Sequence, residues 1–245
     1  MDSGYYAAST ALIARTQALD TIANNLANAS TIGFRAGHNV FKSVLSDAGS
    51  TSGSAFSQAV NNYGVLSGTT LDLSQGALQK TGNDLDLAIE GSGFFVVQTS
   101  NGPMYTRNGS FQVSAQGQLI TSAGDAVMGD QGTITVPPGS VSISTDGTIS
   151  SNGAVAGKLK MVQFPAGTPL TSAGNSYYSA PAKTETPATD STIQQGVLES
   201  SNVNPISSMV ELINAQRSAE MMQRALSMFN SEMDKTATQE LPKIG

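Results

Sequence analysis

The stretch from Asn204 to Lys235, NPISSMVELINAQRSAEMMQRALSMFNSEMDK, carries more apolar surface than one neighbouring element covers. As a helix it is ~48 Å long. Its apolar residues recur in steps of three and four and form two stripes. The first stripe is Ile206, Val210, Ile213, Met221, Ala225 and Met228, and the second is Met209, Leu212, Ala215, Ala219, Met222, Leu226, Phe229 and Met233. Because a single-domain monomer rarely supplies neighbours on two sides, the stretch predicts a subunit of a helical assembly.

A second helical pattern lies at the other end of the chain, from Tyr5 to Asn28. Its apolar residues follow heptad spacing, interrupted only by Arg15. They are Tyr5, Ala8, Leu12, Leu19, Ile22 and Leu26. Periodicity alone leaves two interpretations open: a helix paired with the C-terminal one, and an amphipathic helix lying on its own domain. Because both helical segments flank a turn-rich middle, we favour terminal helices that meet in one coiled-coil-like layer.

The middle of the chain has the patterns of β-structure. Leu85, Leu87 and Ile89 alternate with Asp86, Ala88 and Glu90, as in a half-buried strand whose carboxylates point outward. Further strands are predicted at 94–98, 104–106, 111–113, 118–121, 134–136, 141–143, 148–150 and 159–164. Tight turns are predicted at four dipeptides, because Asn, Asp and Gly tolerate positive φ. These are Asn101-Gly102, Asn108-Gly109, Asp146-Gly147 and Asn152-Gly153. The predicted fold class is therefore α+β, with a central antiparallel all-β domain.

The changes of pattern divide the chain into four segments. They are an N-terminal helix at 1–35, a connector at 36–70, the β-domain at 71–192, and a return segment with the C-terminal helix at 193–245. Within the connector, a short helix is predicted through Val40, Phe41, Val44 and Leu45, followed by a flexible Gly- and Ser-rich stretch at 46–64. Residues 165–192 are rich in Pro, Thr and Ser, which predicts mostly irregular surface chain anchored by Tyr177 and Tyr178.

Composition excludes several classes of function. The 245 residues include 12 Lys plus Arg against 18 Asp plus Glu, a formal charge of -6, so no electrostatic footprint for nucleic acid or anionic membrane exists. There is no Cys, which rules out disulfides and thiolate chemistry. Met1 to Ala11 lacks the features of a cleaved secretory signal, and no run reaches the length of a membrane span. We expect neither polyanion binding nor membrane insertion.

The candidate chemical sites are weak. Gly91-Ser92-Gly93 lacks the third Gly of a dinucleotide fingerprint, and Ser92 is not in a nucleophile elbow. A Ser-His-Asp arrangement would need His38, the only His, from a distant region. Asp84, Asp86 and Glu90 suggest a cation site or a glycosidase pair, but the alternation of Asp86 and Glu90 along a strand favours a solvated face. We expect no enzyme, cofactor, metal or small-molecule substrate.

An alternative from another class is a secreted β-domain with enzymatic or carbohydrate-binding activity. Aromatic residues make up only 6% of the chain and Trp is absent, which removes the usual sugar-stacking platform.

Several segments resemble the bacterial flagellar rod and hook family. Residues 23–35, ANNLANASTIGFR, are similar to its N-terminal signature, with Ile32 where the family has Pro. The resemblance continues at 75–78, 81–83, 85–95, 105–111 and 195–204, and in the last helix at 209–210, 216–217 and 220. Ala219 stands where the family commonly has an aromatic residue. The length and the abrupt segment after Phe164 are more like the proximal rod proteins than the distal ones.

The resemblance implies a structural subunit that self-assembles through its terminal helices into the tubular rod, which transmits torque and forms part of the export channel. The implied partners are copies of itself, other rod proteins and the flagellar type III export apparatus. The implied location is the periplasmic rod, reached without a cleaved signal peptide. One stripe of the last helix should face the N-terminal helix and the other a neighbouring subunit. The predicted interface residues are Leu12, Leu19, Ile22, Leu26, Ile213, Met222, Leu226 and Phe229.

Overall fold

Two long helices stand at the two ends of the chain. In the computed structural model, which describes residues 2–42 and 65–239, α1 is Asp2–Ala27 and α2 is Pro205–Gln239. Both predicted helices are confirmed. Pro205 is the first residue of α2, a position where its missing N–H has no helical partner to lose. α1 ends among the Asn residues, whose short polar side chains compete for backbone hydrogen bonds.

The described residues between the helices form short strands. Their bounds are β1 Gly37–Lys42, β2 Val65–Leu71, β3 Leu78–Lys80, β4 Leu87–Glu90, β5 Phe94–Thr99, β6 Gly102–Thr106, β7 Phe111–Val113, β8 Leu119–Thr121, β9 Ala126–Gly129, β10 Gly132–Thr133, β11 Val141–Ile143, β12 Thr148–Ser151, β13 Ala154–Lys158, β14 Met161–Gln163, β15 Thr171–Gly174, β16 Tyr177–Ser179, β17 Thr186–Pro187, β18 Thr192–Gln195 and β19 Val197–Glu199. The α+β class and the central antiparallel β-domain are confirmed.

The largest sheet has ten strands, seven of them in the order β15-β16-β6-β5-β9-β8-β7, with β10, β14 and β17 attached. β11, β12 and β13 form a three-stranded antiparallel sheet. Three two-stranded sheets pair β1 with β2, β4 with β18, and β3 with β19. The last two pairs bring the chain just before α2 back against the first strands of the β-domain.

β5 lies in the middle of the ten-stranded sheet and is buried on both faces. Phe95 and Val97 belong to one hydrophobic cluster, and Phe94 and Val96 to a second. Because successive side chains of a strand point to opposite faces, a continuous apolar run is required where both faces are covered. The adjacent tyrosines of β16 divide in the same way, which confirms them as anchors of residues 165–192.

The chain divides into two compact units. The helical unit contains residues 2–26, β1, residues 65–69 and α2, and the β unit contains Ala27–Ala36 and Thr70–Asn204. The β unit therefore includes the end of the N-terminal family signature and the whole approach to α2.

Three local predictions were wrong. Val40 and Phe41 lie in strand β1 rather than in a helix, because the backbone pairs with β2; Val44, Leu45 and 46–64 lie outside the described residues. In the predicted strand 134–136, only residue 135 makes a β-bridge, and residues 134 and 136 fill the core instead. Asn108-Gly109 is not a hairpin turn, because the strand that follows pairs with β8 and Gly109 packs against a backbone carbonyl.

The predicted alternation over residues 85–90 was wrong at two positions, Asp86 and Ala88, and Ala88 is fully buried. Asp86 is buried and not solvated, since Asn83 Nδ2 donates to its Oδ1 at 3.2 Å and its backbone bridges Ser110. Glu90 is exposed as predicted and accepts a hydrogen bond from Gln194.

Candidate functional site

One side of α2 presents large apolar side chains to solvent. Each is between 51% and 77% exposed: Ile206, Met209, Val210, Ile213, Met221 and Met228. We call this set the outward stripe. It contains the first predicted stripe without Ala225, which is half-buried, and adds Met209 from the second. An exposed apolar row of this kind is a candidate interaction surface.

The opposite side of α2 is covered by the same chain. Its buried and half-buried residues recur in steps of four and three: Ser208, Leu212, Ala215, Ala219, Met222 and Leu226. At about 100° per residue this row lies across the helix from the outward stripe. Ala219 is buried, so the small side chain occupies a closely covered position.

α1 also has a covered side. Ala14, Ala18 and Asn25 are buried at heptad spacing, whereas Ile13 is exposed. The predicted contact residues Leu12, Leu19, Ile22 and Leu26 are half-buried beside this row. The sequence prediction did not include Ala14, Ala18 and Asn25, because it considered mainly large apolar side chains. The heptad spacing of these small residues could have identified the covered side.

The eight predicted interface residues therefore do not share one environment. Ile213 is exposed in the outward stripe, and Phe229 lies where the structure describes no side chain. The other six are half-buried: Leu12, Leu19, Ile22, Leu26, Met222 and Leu226.

A group of fully buried charges lies inside the β unit. Arg35 Nη1 is 2.6 Å from Glu199 Oε1, and Arg107 Nη1 donates to Glu199 Oε2 at 3.2 Å. All three side chains are essentially inaccessible to solvent. Arg107 also donates to the backbone oxygens of Ile89 and Gly91, at 3.2 and 2.6 Å. In the sequence these three residues were recognised only as parts of family motifs, and their contact with one another was not predicted.

Two cations share one carboxylate in this cluster. Burial and, to a smaller extent, the neighbouring Arg35 lower the pKa of Arg107 to about 10, although the charge of Glu199 opposes the shift. Arg107 also lies over the ring of Phe94, 5.0 Å from its centroid, which favours the cation. The Nε and Nη2 atoms of Arg35 have no hydrogen-bond acceptor among the described residues. Burying two cations with one carboxylate carries a large desolvation cost. The hydrogen bonds and ion pairs of the cluster are needed to offset that cost.

Tyr178 connects the cluster to the N-terminal signature. Its hydroxyl accepts the Arg35 backbone N–H at 2.8 Å and donates to the Gly33 carbonyl at 3.2 Å. Burial raises the pKa of Tyr178 to about 12, so the hydroxyl keeps its proton and can donate.

The candidate chemical sites of the sequence are turns and solvated charges. Ser191 Oγ accepts the Gly93 N–H at 3.0 Å and lies where side chains on the Gly91-Ser92-Gly93 turn would stand, so the glycines serve close packing. Asp84 and Glu90 are exposed. In the part of the chain that the structure describes, no three His, Asp or Glu side chains are placed to hold a metal ion. Neither described helix has the length and hydropathy to cross a membrane.

Comparison with protein families identifies the class. Residues 6–35 match the family described as flagella basal body rod protein, and residues 88–151 match the D1 domain of the flagellar hook protein FlgE/F/G family. Residues 194–240 match the C-terminal region of flagellar basal body rod FlgEFG proteins. The chain belongs to the flagellar basal-body rod family and is a structural rod subunit.

Individual relatives narrow the assignment. The chain is 34% identical to the flagellar basal-body rod protein FlgF of Caulobacter vibrioides over 100% of both chains. It is 37% identical to FlgF of Mesorhizobium japonicum over 90% of both, and 33% identical to FlgG of Buchnera aphidicola over 92% of this chain and 95% of that one. The relatives named FlgF favour assignment as a proximal rod protein, and FlgG is the second candidate. The rod family assembles with other flagellar rod components, which places the chain in the flagellar basal body.

Proposed function

We propose that the chain builds the proximal rod by self-assembly through its terminal helices, and that the outward stripe of α2 is the surface on which a neighbouring subunit packs. The stripe carries the proposal because its apolar side chains lie across the helix from the row that the same chain covers. The finished tube transmits torque and forms part of the export channel.

The energetics favour a covered stripe. Full burial of one such side chain contributes about 1.5–3 kcal/mol. Because each of the six is at least half exposed, covering them contributes about 5–10 kcal/mol before the costs of association. Head-to-tail contacts of this kind extend into helical filaments, because the surface on one subunit meets a different surface on the next.

The half-buried residues complete the proposal. Leu12, Leu19, Ile22 and Leu26 of α1, with Met222 and Leu226 of α2, form the coiled-coil-like layer, while Ile213 and Phe229 contact a neighbour. The helices also contact other rod proteins. The subunit crosses to the periplasmic rod through the flagellar type III export apparatus, without inserting in the membrane.

The test compares two charged substitutions on the same helix. Ile213→Asp places an unpaired carboxylate in the outward stripe, whereas Gln223→Asp places one on an exposed polar position beside it. Burying the first carboxylate costs several kcal/mol, so we expect incorporation into rods to fall about 100-fold or more. The purified Ile213→Asp chain should unfold at the same temperature as the parent, since the residue is exposed there.

Incorporation is measured from the amount of the chain in purified basal bodies and from swimming. Equal incorporation of Ile213→Asp and Gln223→Asp chains would show that the outward stripe is not the assembly surface. Loss of both would point to helix destabilisation, which the unfolding temperatures would reveal.

A further inference from the structure

The chain passes four times between the helical unit and the β unit, at residues 26/27, 36/37, 69/70 and 204/205. Each crossing is a covalent path for force. Inside the β unit, three segments next to these crossings meet: 33–36, 72–76 and 199–202. Two side chains of the third segment, those of Glu199 and Asn202, each contact both other segments, in addition to direct backbone hydrogen bonds between the segments.

Asn202 holds three segments through its amide. Its Oδ1 accepts the Ala36 N–H at 2.8 Å, and its Nδ2 donates to the carbonyls of Asp72 and Ser74 at 3.0 and 3.1 Å. The Asp72 N–H in turn donates to the Ala36 carbonyl at 2.8 Å. A single amide therefore satisfies backbone groups just before the second crossing and just after the third.

Glu199 connects the same three segments through its carboxylate and its backbone oxygen. Its Oε1 accepts the Gly76 N–H at 2.8 Å and pairs with Arg35, while its backbone oxygen accepts the Gly33 N–H at 2.8 Å. Its Oε2 accepts from Arg107, whose other donors hold the end of β4. The three crossing segments are thus tied to one another and then to the sheet core.

Close packing leaves this region little freedom. A Cβ on Gly76 would lie 1.9 Å from the Ser200 carbonyl oxygen, and one on Gly33, where φ is +67°, would lie 2.3 Å from the Asn108 nitrogen. The segments are therefore fixed by backbone contact as well as by Glu199 and Asn202.

We infer that Glu199 and Asn202 form a junction that makes the three crossing segments move as one body, so that force from either terminal helix enters the β unit through all of them together. Glu199 and Asn202 are positioning residues. The mechanical consequence rests on the proposed function in the rod; the cooperativity of the junction does not and is tested on the isolated full-length chain.

The decisive measurement is amide hydrogen exchange in Glu199→Gln and Asn202→Ala chains. Asn202→Ala removes the acceptor of the Ala36 N–H, and Glu199→Gln leaves one oxygen in place of two for the Gly76 N–H and the two arginines. Each substitution therefore acts directly on one of the two amides and indirectly on the other. We expect both amides to exchange about tenfold faster or more in both variants, because loss of one contact releases the whole junction. The remote amide of Leu119 should keep its rate.

Two matched variants control for the substitutions. Glu90→Gln removes an exposed carboxylate of the same unit, and Asn101→Ala removes an exposed amide in a turn; neither should change exchange at Ala36 or Gly76. The junction is overturned if each variant accelerates only its own amide. It is also overturned if Leu119 accelerates equally, since the side chains would then only support general stability.

The mechanical consequence is tested in cells carrying the Asn202→Ala chain. Normal incorporation into basal bodies is expected, with normal swimming in dilute medium and lost swimming when the viscosity of the medium is raised. Undiminished swimming at high viscosity would overturn the mechanical role. Failure of the Asn202→Ala chain to incorporate would also overturn the mechanical role, because Asn202 would then serve assembly. The proposed assembly surface is tested independently, by the incorporation of the Ile213→Asp chain.

Discussion

The side-chain amide of Asn25 joins α1 to the start of β1. Its Nδ2 donates to the Gly37 carbonyl at 2.8 Å, and its Oδ1 accepts the Gly37 N–H at 2.9 Å. The side chain is buried and takes the place of a neighbouring strand residue. Next to it, Thr21 donates to Asn39 at 3.0 Å, which extends the contact along β1. Replacing Asn25 therefore tests how a helix end fixes the register of a strand.

Asn25→Ala removes both hydrogen bonds and leaves the Gly37 N–H and carbonyl without partners. A buried orphan group costs about 1–3 kcal/mol, and because Gly37 is half-buried, water replaces part of the loss. We expect a local destabilisation of about 2 kcal/mol, which corresponds to roughly 30-fold faster exchange of the Gly37 amide. Asn25→Asp keeps the acceptor but puts an oxygen against the Gly37 carbonyl, so it should destabilise as well.

Residue-resolved hydrogen exchange of the full-length chain gives the measurement. Gln17→Ala is the control, because it truncates an exposed polar residue of the same helix. An unchanged Gly37 exchange rate in the Asn25→Ala chain would refute the argument. Acceleration of amides throughout the β unit would refute it as well, because the effect should stay in the helical unit.

Three further predictions concern the β unit. Gly109→Ala puts a Cβ 1.8 Å from a carbonyl oxygen of β4 and should cost about 3 kcal/mol or more by thermal unfolding, whereas Gly157→Ala meets only a side chain at 3.7 Å and should be nearly neutral. Tyr178→Phe leaves the Arg35 N–H without its acceptor and should cost about 1–3 kcal/mol in denaturant unfolding; an unchanged midpoint would contradict this. Burial raises the pKa of Tyr177 and Tyr178 to about 12, so the folded chain binds these protons more tightly than the unfolded chain does. Stability should be intact below about pH 10 and fall towards pH 12, with the phenolate absorbance of both appearing only as the chain unfolds.

The Asn-Gly pairs show what local sequence can and cannot decide. At Asn152-Gly153 both residues have positive φ, 49° and 82°, and they join β12 to β13 as predicted. At Asn108-Gly109 the same dipeptide makes no hairpin. Gly109 is required there because a strand carbonyl approaches its α-carbon, and that strand comes from elsewhere in the chain. Positive φ is a local property that a dipeptide predicts, whereas close approach is a property of the fold.

Helix period and strand alternation predicted the elements whose burial is regular. The long terminal helices follow from helical spacing, and β5 follows from a continuous apolar run after a turn. The segment with Val40 and Phe41 has no decisive period, and its strand depends on pairing with β2 and on the amide of Asn25. The side of α2 that stays exposed also could not be predicted, because both stripes are apolar and only the packed chain distinguishes them.

The buried charges were the least predictable part, since charged residues on strands are normally solvated. That rule describes Glu90 and fails for Arg35, Arg107 and Glu199, whose charged partners lie at least 92 residues away in the chain. A signal for them does exist in the sequence. Each of the three is the only Asp, Glu, Lys or Arg in a long stretch of sequence. The stretch is 21–41 for Arg35, 91–124 for Arg107 and 191–210 for Glu199. An isolated charge in a long uncharged stretch has no local partner, so it must either reach solvent or meet another isolated charge across the fold. In a chain with only 12% charged residues, such isolated charges are the places to look for a buried junction.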